Sequence, residues 1–546
     1  MTSGSTSSPA FPRTPAFVVI LVALLAVALP RLMVVGGLPT TDEGFQAYYA
    51  QIMHASLAGG HGLPDTGPLM FYSLLVNWVF AFGANPMIAL RLVDMLVAVA
   101  AGYALYRVVE VESRSRLGAL LIALLFLFTM NHPTFTQHGF KNSIHAAYLP
   151  LFTALWLGLT APANATARRW LGVGALLSVA VLLRETFLPL MALGALAVLV
   201  GHGTRAFGRL VVGAAGAGLL ITGAILAARG GIAATLEGYR DAGLVYAAIA
   251  DKRVEFFFNY GGQALREGTV ALIVAGVGLV VTLARSLGGS WLTSLPRLAF
   301  WLAAALIPLI EPASKIGFPY HFGVCLPGLA GLAALGWRNA CEGGPAMRRN
   351  LAAGALGIAL LAMVIPRLGP LSANWPQTRE ALASFQTGDW PASFTEKTNY
   401  LLAAQAIRQA TPPGGTVAIS GFMFTLYPLT GHVPPAPELA NLSATLIKLG
   451  LSGPALRDAL LRCPPDVLMT TSRTDWPGGP DLLAAVRDTG IYAQVAEIPT
   501  TNDRAYGAFG GLVFRRTEAR ACTHGSATGR SEAPAHRAAT HHNALK

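Results

Sequence analysis

The sequence predicts a polytopic α-helical membrane protein with a small α/β domain at its C-terminal end, and three observations carry that prediction. Of 546 residues, 53% are hydrophobic and only 12% are charged, where soluble domains carry about 25% charged residues. Apolar runs recur through roughly the first 370 positions, each long enough to cross about 30 Å of hydrocarbon. Beyond them the apolar runs stop, and short helix-like and strand-like segments alternate.

The elements follow in order. Residues 1–15 are polar, with Arg13 the only early charge, and read as a cytoplasmic N-terminus. The first run, AFVVILVALLAVALPRLMVV (16–35), is longer than the apolar core of a secretory signal and reads as a retained anchor. Basic clusters then punctuate the chain at Arg107/Arg114/Arg116, Arg168/Arg169, Arg205/Arg209, Arg285/Arg297 and Arg338/Arg348/Arg349. Lys and Arg concentrate in cytoplasmic loops, and between successive clusters there is room for one helix out and one back. The result is about eleven spans, near 16–35, 90–107, 117–131, 143–160, 170–184, 186–201, 209–228, 268–285, 297–311, 319–338 and 350–367. Counting PLMFYSLLVNWVFAFG (68–83) as a further span would put Arg107, Arg114 and Arg116 on the wrong side. It reads instead as an aromatic-rich interfacial helix in the first outer loop. Asp42, Glu43, Asp65, Lys141, Arg184, Glu185, Glu311 and Lys315 then all fall at outer helix ends or in outer loops. Ionisable groups at membrane depth are costly and mark cavities or partners, so this segregation points to a polar site at the outer surface.

The membrane part ends near 370, and residues 371–398 read as a polar connector. In 399–516, YLLAAQAIRQ is a helix stopped by Pro-Pro-Gly-Gly, TVAISG and DVLMTTS are strands, and LSGPALRDALLR is a helix. DLLAAVRDTG and IYAQVAEIP repeat the helix-then-strand order, which gives an α/β domain on the outer side. Residues 517–546 lack apolar periodicity and read as a disordered tail whose histidines are solvated. The four cysteines, Cys325, Cys341, Cys463 and Cys522, have no CxxC spacing, which argues against zinc. Cys463 and Cys522 could pair in an oxidising compartment, or Cys522 could stay free in the tail. The net charge of +12 reports topology here; without basic, aromatic-interleaved stripes it does not imply nucleic acid. No internal repeat is visible.

The most informative stretch is TTDEGFQAYYAQ (40–51). Thr41 or Asp42 can cap a helix and Glu43 suits its first turn. Capping alone leaves unexplained why a chain poor in acids places Asp42, Glu43, a Gly-rich loop and Asp65 together beside a span. A carboxylate at a partly desolvated surface has a raised pKa and serves as a general base. His54 and His61 form no paired metal-binding spacing, and no Asp-x-Asp is present, so neither a metal nor another cofactor is predicted.

These residues carry a resemblance. Asp-Glu after the first span, a tyrosine-bearing helix, a Gly-rich loop with Asp65, Pro68-Leu69-x-x-Tyr72, Phe82-Gly83 and Arg91-Leu92 together resemble the first outer loop of GT-C fold glycosyltransferases. The nearest groups are protein O-mannosyltransferases, lipid A aminoarabinose transferases and lipopolysaccharide-core galacturonosyltransferases. GFPYHFGVCLPGLAGLAALG (317–336), with Tyr320 and His321, resembles a late segment of the bacterial members. The resemblance implies a bacterial inner-membrane enzyme that moves a sugar from a polyprenyl phosphate to a glycan, lipid or protein acceptor at the periplasmic face. It implies that Asp42 is the base with Glu43 beside it. The substrate-binding candidates are Asp65, Tyr72, Arg91, Lys141, Arg184, Glu185, Lys315, Tyr320 and His321. Among the cations Arg184 is favoured, because arginine matches phosphate bidentately. Each has a plainer alternative: Arg184 paired with Glu185 or Glu311, Lys141 a snorkelling anchor, His321 a satisfied core residue. One departure stands out, since the lysine that often precedes the Pro-Pro of aminoarabinose transferases is replaced here by Asp65-Thr66-Gly67-Pro68. The rival classes are a transporter or lipid flippase, which predicts charges at helix midpoints and related halves, and an inactive relative acting in envelope glycan assembly.

Overall fold

The structure is a computed structural model that describes residues 15–32, 35, 41–58, 70–82, 85–136, 142–228, 232, 236, 239–240, 243–244, 253–287, 291–314, 317–342, 344–385, 387, 399–421, 423–471, 479–503 and 507–522. The chain opens with α1 (Ala16–Leu32), α2 (Thr41–Ala58) and α3 (Met70–Val76), which continues as a 3-10 turn, Asn77–Phe82. Next come α4 (Pro86–Ser113), α5 (Arg116–Met130), α6 (Asn142–Leu159), α7 (Ala167–Leu183) and α8 (Leu188–Ala228). The helical part closes with α9 (Arg253–Arg285), α10 (Trp291–Leu306), α11 (Leu326–Cys341) and α12 (Ala346–Ser384).

Local chemistry explains the boundaries. The Asn85 side chain accepts from the Met87 and Ile88 amides at 3.1 and 3.2 Å, and Pro86 takes the first helical position, so α4 begins with a complete cap. The α4–α5 corner turns on Arg114 (φ 51) and is capped by Ser115, which accepts from the Gly118 amide. Gly203 (φ 81) breaks α8 into two helical arms. Close packing in the bundle uses small residues: a Cβ added to Gly336 of α11 would lie 2.1 Å from Gly278 Cα of α9, the device by which apolar helices approach each other closely.

Each predicted span overlaps a helix, with 186–201 and 209–228 falling on the two arms of α8. By length and composition, five helices among the described residues can cross a membrane: Pro86–Ser113, Glu185–Leu226, Arg253–Arg285, Leu295–Ser314 and Ala346–Pro370. Within the 68–83 stretch, residues 70–82 form a short helix and a 3-10 turn. The connector differs from expectation, because α12 runs on through 371–384; the helix-forming run TREALAS outweighs the three prolines before it.

Arginines of three of the basic clusters lie together at one end of the bundle. Arg114 and Arg338 pair with Glu342 at 2.7 and 3.0 Å, Arg107 and Arg116 lie 3.3 and 3.5 Å from Glu110, and Arg285 donates to the Asn339 and Glu342 carbonyls. Arg31 near the end of α1, Arg91 and Asp94 near the start of α4, and Arg184 just after α7 lie away from these arginines.

The C-terminal domain contains α13 (Asn399–Ala410), β1 (Val417–Ile419), α14 (Leu426–Thr430), α15 (Leu442–Lys448), α16 (Gly453–Arg462), β2 (Val467–Thr471), α17 (Gly479–Asp488), β3 (Tyr492–Asp503) and β4 (Gly507–Arg516). The sheet order is β1-β2-β4-β3, parallel between β1 and β2 and antiparallel elsewhere. Strand alternation divides two cores. Val417, Ile419, Val467 and Met469 pack with α13 and α14, while Ala418, Leu468 and Phe514 pack with α15–α17. The helix–strand alternation read from the sequence anticipated β1, β2 and β3 but not the final hairpin, in which GAFGGLVFRR inserts β4 between β2 and β3. Cys463 and Cys522 form a disulfide, and the Thr517 amide donates to Ile491 O at 2.9 Å, so 517–522 belong to the domain. The remainder of the predicted tail lies outside the described residues.

Candidate functional site

The site is built around α2, which is wedged between the bundle and the C-terminal domain. On one face Glu43, wholly buried, meets Arg91 (2% exposed) of α4. Arg91 Nε donates to Oε1 at 2.9 Å and an Nη to Oε2 at 2.8 Å, while its other Nη donates to Val35 O at 2.7 Å. This is the bidentate geometry that justifies a buried guanidinium–carboxylate pair. On the other face the domain closes in. Tyr48 and Ile52 belong to the same core as Tyr400, Phe424 and Tyr427, and the Tyr48 and Tyr427 rings are 4.5 Å apart. Gly44 lies so close to Thr425 that an added Cβ would stand 2.4 Å from its backbone nitrogen; no other residue type fits there.

Beside this pair lies a second one that sequence reading passed over. Arg31 of α1 bonds Asp94 of α4 and donates from Nε to Asn131 Oδ1 at 2.6 Å, all three buried. Tyr72 of α3 is buried within the electrostatic reach of both pairs. Burial pushes its phenol well above the ordinary range, with Asp94 raising it further, Arg31 opposing and Glu43 adding. The phenol therefore stays neutral and able to donate. A signal was available: Arg31 and Asp94 are charges inside apolar spans, and such residues are functional candidates by default.

A third group gathers at the same end. Arg184, following α7, donates to Glu311 at 2.7 Å, both buried. Nearby, Tyr148 donates to Gly323 O at 2.9 Å, and the Tyr320 and His321 rings meet edge to face at 4.2 Å, both buried. His132 Nε2 lies 3.3 Å from Glu267, which Arg367 of α12 approaches at 3.6 Å while its guanidinium stands 5.1 Å from the Phe128 ring.

The structure thus brings Glu43, Arg91 and Tyr72 together. It puts Arg184 on Glu311, one of the alternatives open from sequence, and makes His321 a buried neighbour of Tyr320. Glu185 opens the 3-10 turn Glu185–Phe187. Asp42 lies in the first turn of α2, its side chain outside the described part; Asp65, Lys141 and Lys315 also lie outside the described residues. Among the described residues no cluster of three metal-binding side chains occurs.

No family model matches the chain, and no curated protein matches it. Solved structures do. The crystal structure of ArnT from Cupriavidus metallidurans bound to undecaprenyl phosphate is 14% identical, with 91% of this chain and 96% of that one covered and a TM-score of 0.50. The apo state of the same protein matches over the same shares, at 13% identity and a TM-score of 0.50. The Archaeoglobus fulgidus oligosaccharyltransferase, in complex with Zn and sulfate, covers 91% of this chain and 72% of its own at 13% identity and a TM-score of 0.44. At such identities the likeness to ArnT is one of fold: the chain has the GT-C fold.

Proposed function

We propose that the protein is a multi-pass glycosyltransferase of about eleven spans, transferring a sugar from a polyprenyl-phosphate donor to an envelope acceptor at the periplasmic face of a bacterial inner membrane. The observation that carries this reading is the double clamp on α2. Arg91 grips Glu43 from the bundle and the C-terminal domain packs on the opposite face, so the helix headed by Asp42 is fixed at a junction between bundle and domain. The fold is that of a protein crystallised with undecaprenyl phosphate, which supports a lipid phosphate as the leaving group.

In this mechanism Asp42 accepts the proton of the acceptor hydroxyl or amine. The nucleophile then bonds to the anomeric carbon as the bond from that carbon to the phosphate oxygen breaks, and the electron pair leaves on the lipid phosphate. Glu43, occupied by Arg91, orients the helix and does not itself take the proton. The leaving phosphate needs positive charge in place. Lys141, Lys315 and His321 are assigned to it, with Arg184 joining by exchanging Glu311 for phosphate. Asp65, Tyr72, Glu185 and Tyr320 are assigned to the sugar and acceptor. The Cys463–Cys522 bond supports an oxidising, periplasmic setting for the domain, and the arginine-rich opposite end supports a cytoplasmic N-terminus.

The test uses purified protein and a panel of polyprenyl-phosphate sugars, with Asp42→Asn as the variant, which removes the acid at nearly unchanged volume. Transfer or hydrolysis by the native chain, and a fall of about 10²–10⁴-fold in Asp42→Asn at unchanged melting temperature, is the expected result. Full activity in Asp42→Asn overturns the role of Asp42.

A further inference from the structure

α2 carries a buried polar group that neither clamp uses. Gln46 is 1% exposed, and its Oε1 has no hydrogen-bond partner among the described residues. Such a group carries a desolvation penalty that an apolar residue of the same shape does not, so its presence calls for an explanation.

Helical register places it. Residues 44, 48 and 52 form the stripe against the C-terminal domain, and residues 43, 47 and 50 face the bundle, with Ala47 and Ala50 in its core. Position 46 belongs to the seam between them, one turn beyond position 42, on the face where i and i+4 residues neighbour each other. Phe45 and Tyr49 border this seam on its domain side, half-buried and edge to face at 4.3 Å, with Phe424 of the domain against Phe45 at 5.0 Å. An amide acceptor next to aromatic rings, in line with a candidate base, is suited to a small polar group presented on an apolar ring or chain.

We propose that Gln46 is a substrate-contacting residue, whose Oε1 accepts a hydrogen bond from an acceptor hydrogen other than the one that passes to position 42: the second hydrogen of an amine or water nucleophile, or a hydroxyl beside the attacking one. The contact holds one lone pair of the nucleophile toward the anomeric carbon and fills the acceptor capacity left open in the free protein. This rests on the transfer reading.

The experiment compares the full-length native chain with Gln46→Met and Gln46→Leu. Both remove the polar group at similar volume. Three quantities are measured: melting temperature, the Kd for undecaprenyl phosphate, and turnover of a polyprenyl-phosphate sugar with water, glycerol or ethanolamine as nucleophile. The expected result is an unchanged or raised melting temperature, an unchanged Kd, and turnover lower by about 10–100-fold. Native-like turnover in both variants overturns the assignment. So does a loss of stability and lipid affinity alongside turnover, which makes Gln46 structural. A native chain that binds no undecaprenyl phosphate and turns over no donor defeats the transfer reading, and the Gln46 assignment with it.

Discussion

The two ends of the helical bundle treat charge differently. At the α2 end, carboxylates and guanidiniums are buried and matched: Glu43 with Arg91 at 0% and 2% side-chain exposure, Arg31 with Asp94, Arg184 with Glu311. At the basic end the pairs are more open, Arg114 and Glu342 at 56% and 45%, although Glu112 beside Arg297 is buried. Withdrawing two ions from water costs several kcal/mol each, and hydrophobic replacements of such pairs are often as stable. Open pairs contribute about 0–1 kcal/mol and cost little to keep. Stability alone therefore explains neither end. The basic end has the composition that sets orientation; the α2 end retains costly charges, which fits a site that must place polar groups at fixed positions.

The sharpest way to break this contrast is to remove one partner at the buried end. Arg91→Met leaves the Glu43 carboxylate buried without its guanidinium and is expected to cost about 3–5 kcal/mol, read as a large fall in melting temperature. Adding Glu43→Leu to Arg91→Met should recover much of that loss while leaving transfer impaired, because the pair orients α2. A single-variant cost below about 1 kcal/mol, the surface-pair range, would erase the distinction between the ends.

Cysteines draw the same line. Cys463 and Cys522 are bonded in the C-terminal domain, whereas Cys341, next to Glu342 at the basic end, is free. The bond closes a sequence separation of 59 residues. Replacing both cysteines by alanine should cost about 2–4 kcal/mol, seen as earlier unfolding of the domain. Reductant should reproduce the shift in the native chain and have no effect on the double variant. Cys341→Ser should leave melting unchanged.

How much of this was legible in the sequence follows from the physics of each feature. The helices were legible, because hydrocarbon thickness and arginine placement act over whole segments, and the α/β character of the domain was read from periodicity. The β4 strand was missed, since its two adjacent glycines look like a loop and only pairing on both sides makes them a strand. Glu43, Arg91 and Tyr72 were selected individually, but their meeting depends on how α2, α3 and α4 pack. Arg31 and Asp94 were readable as charges within apolar runs yet were absorbed into the spans. Gln46 gave no signal at all, because an orphaned amide exists only once its surroundings are folded.

The smallest effect belongs to the open end. Partial burial tends to raise the Glu342 carboxyl, but hydrogen bonds and charge from Arg338 and Arg114 outweigh it and hold the group below its ordinary range. A depressed carboxyl contributes stability above the unfolded pKa of about 4.3, and that contribution is lost as pH falls through the lower, folded value. Glu342→Gln should therefore lower stability at neutral pH by less than about 1 kcal/mol, given its exposure. The difference from the native chain should vanish in acid, and it should shrink in salt, where the screening length drops to about 3 Å at 1 M. The buried Glu43–Arg91 pair, shielded from mobile ions, should show almost no salt dependence. Melting curves of the Glu342 and Arg91 variants in low and high salt measure this directly, and equal salt sensitivity at the two ends would mean that burial does not separate them.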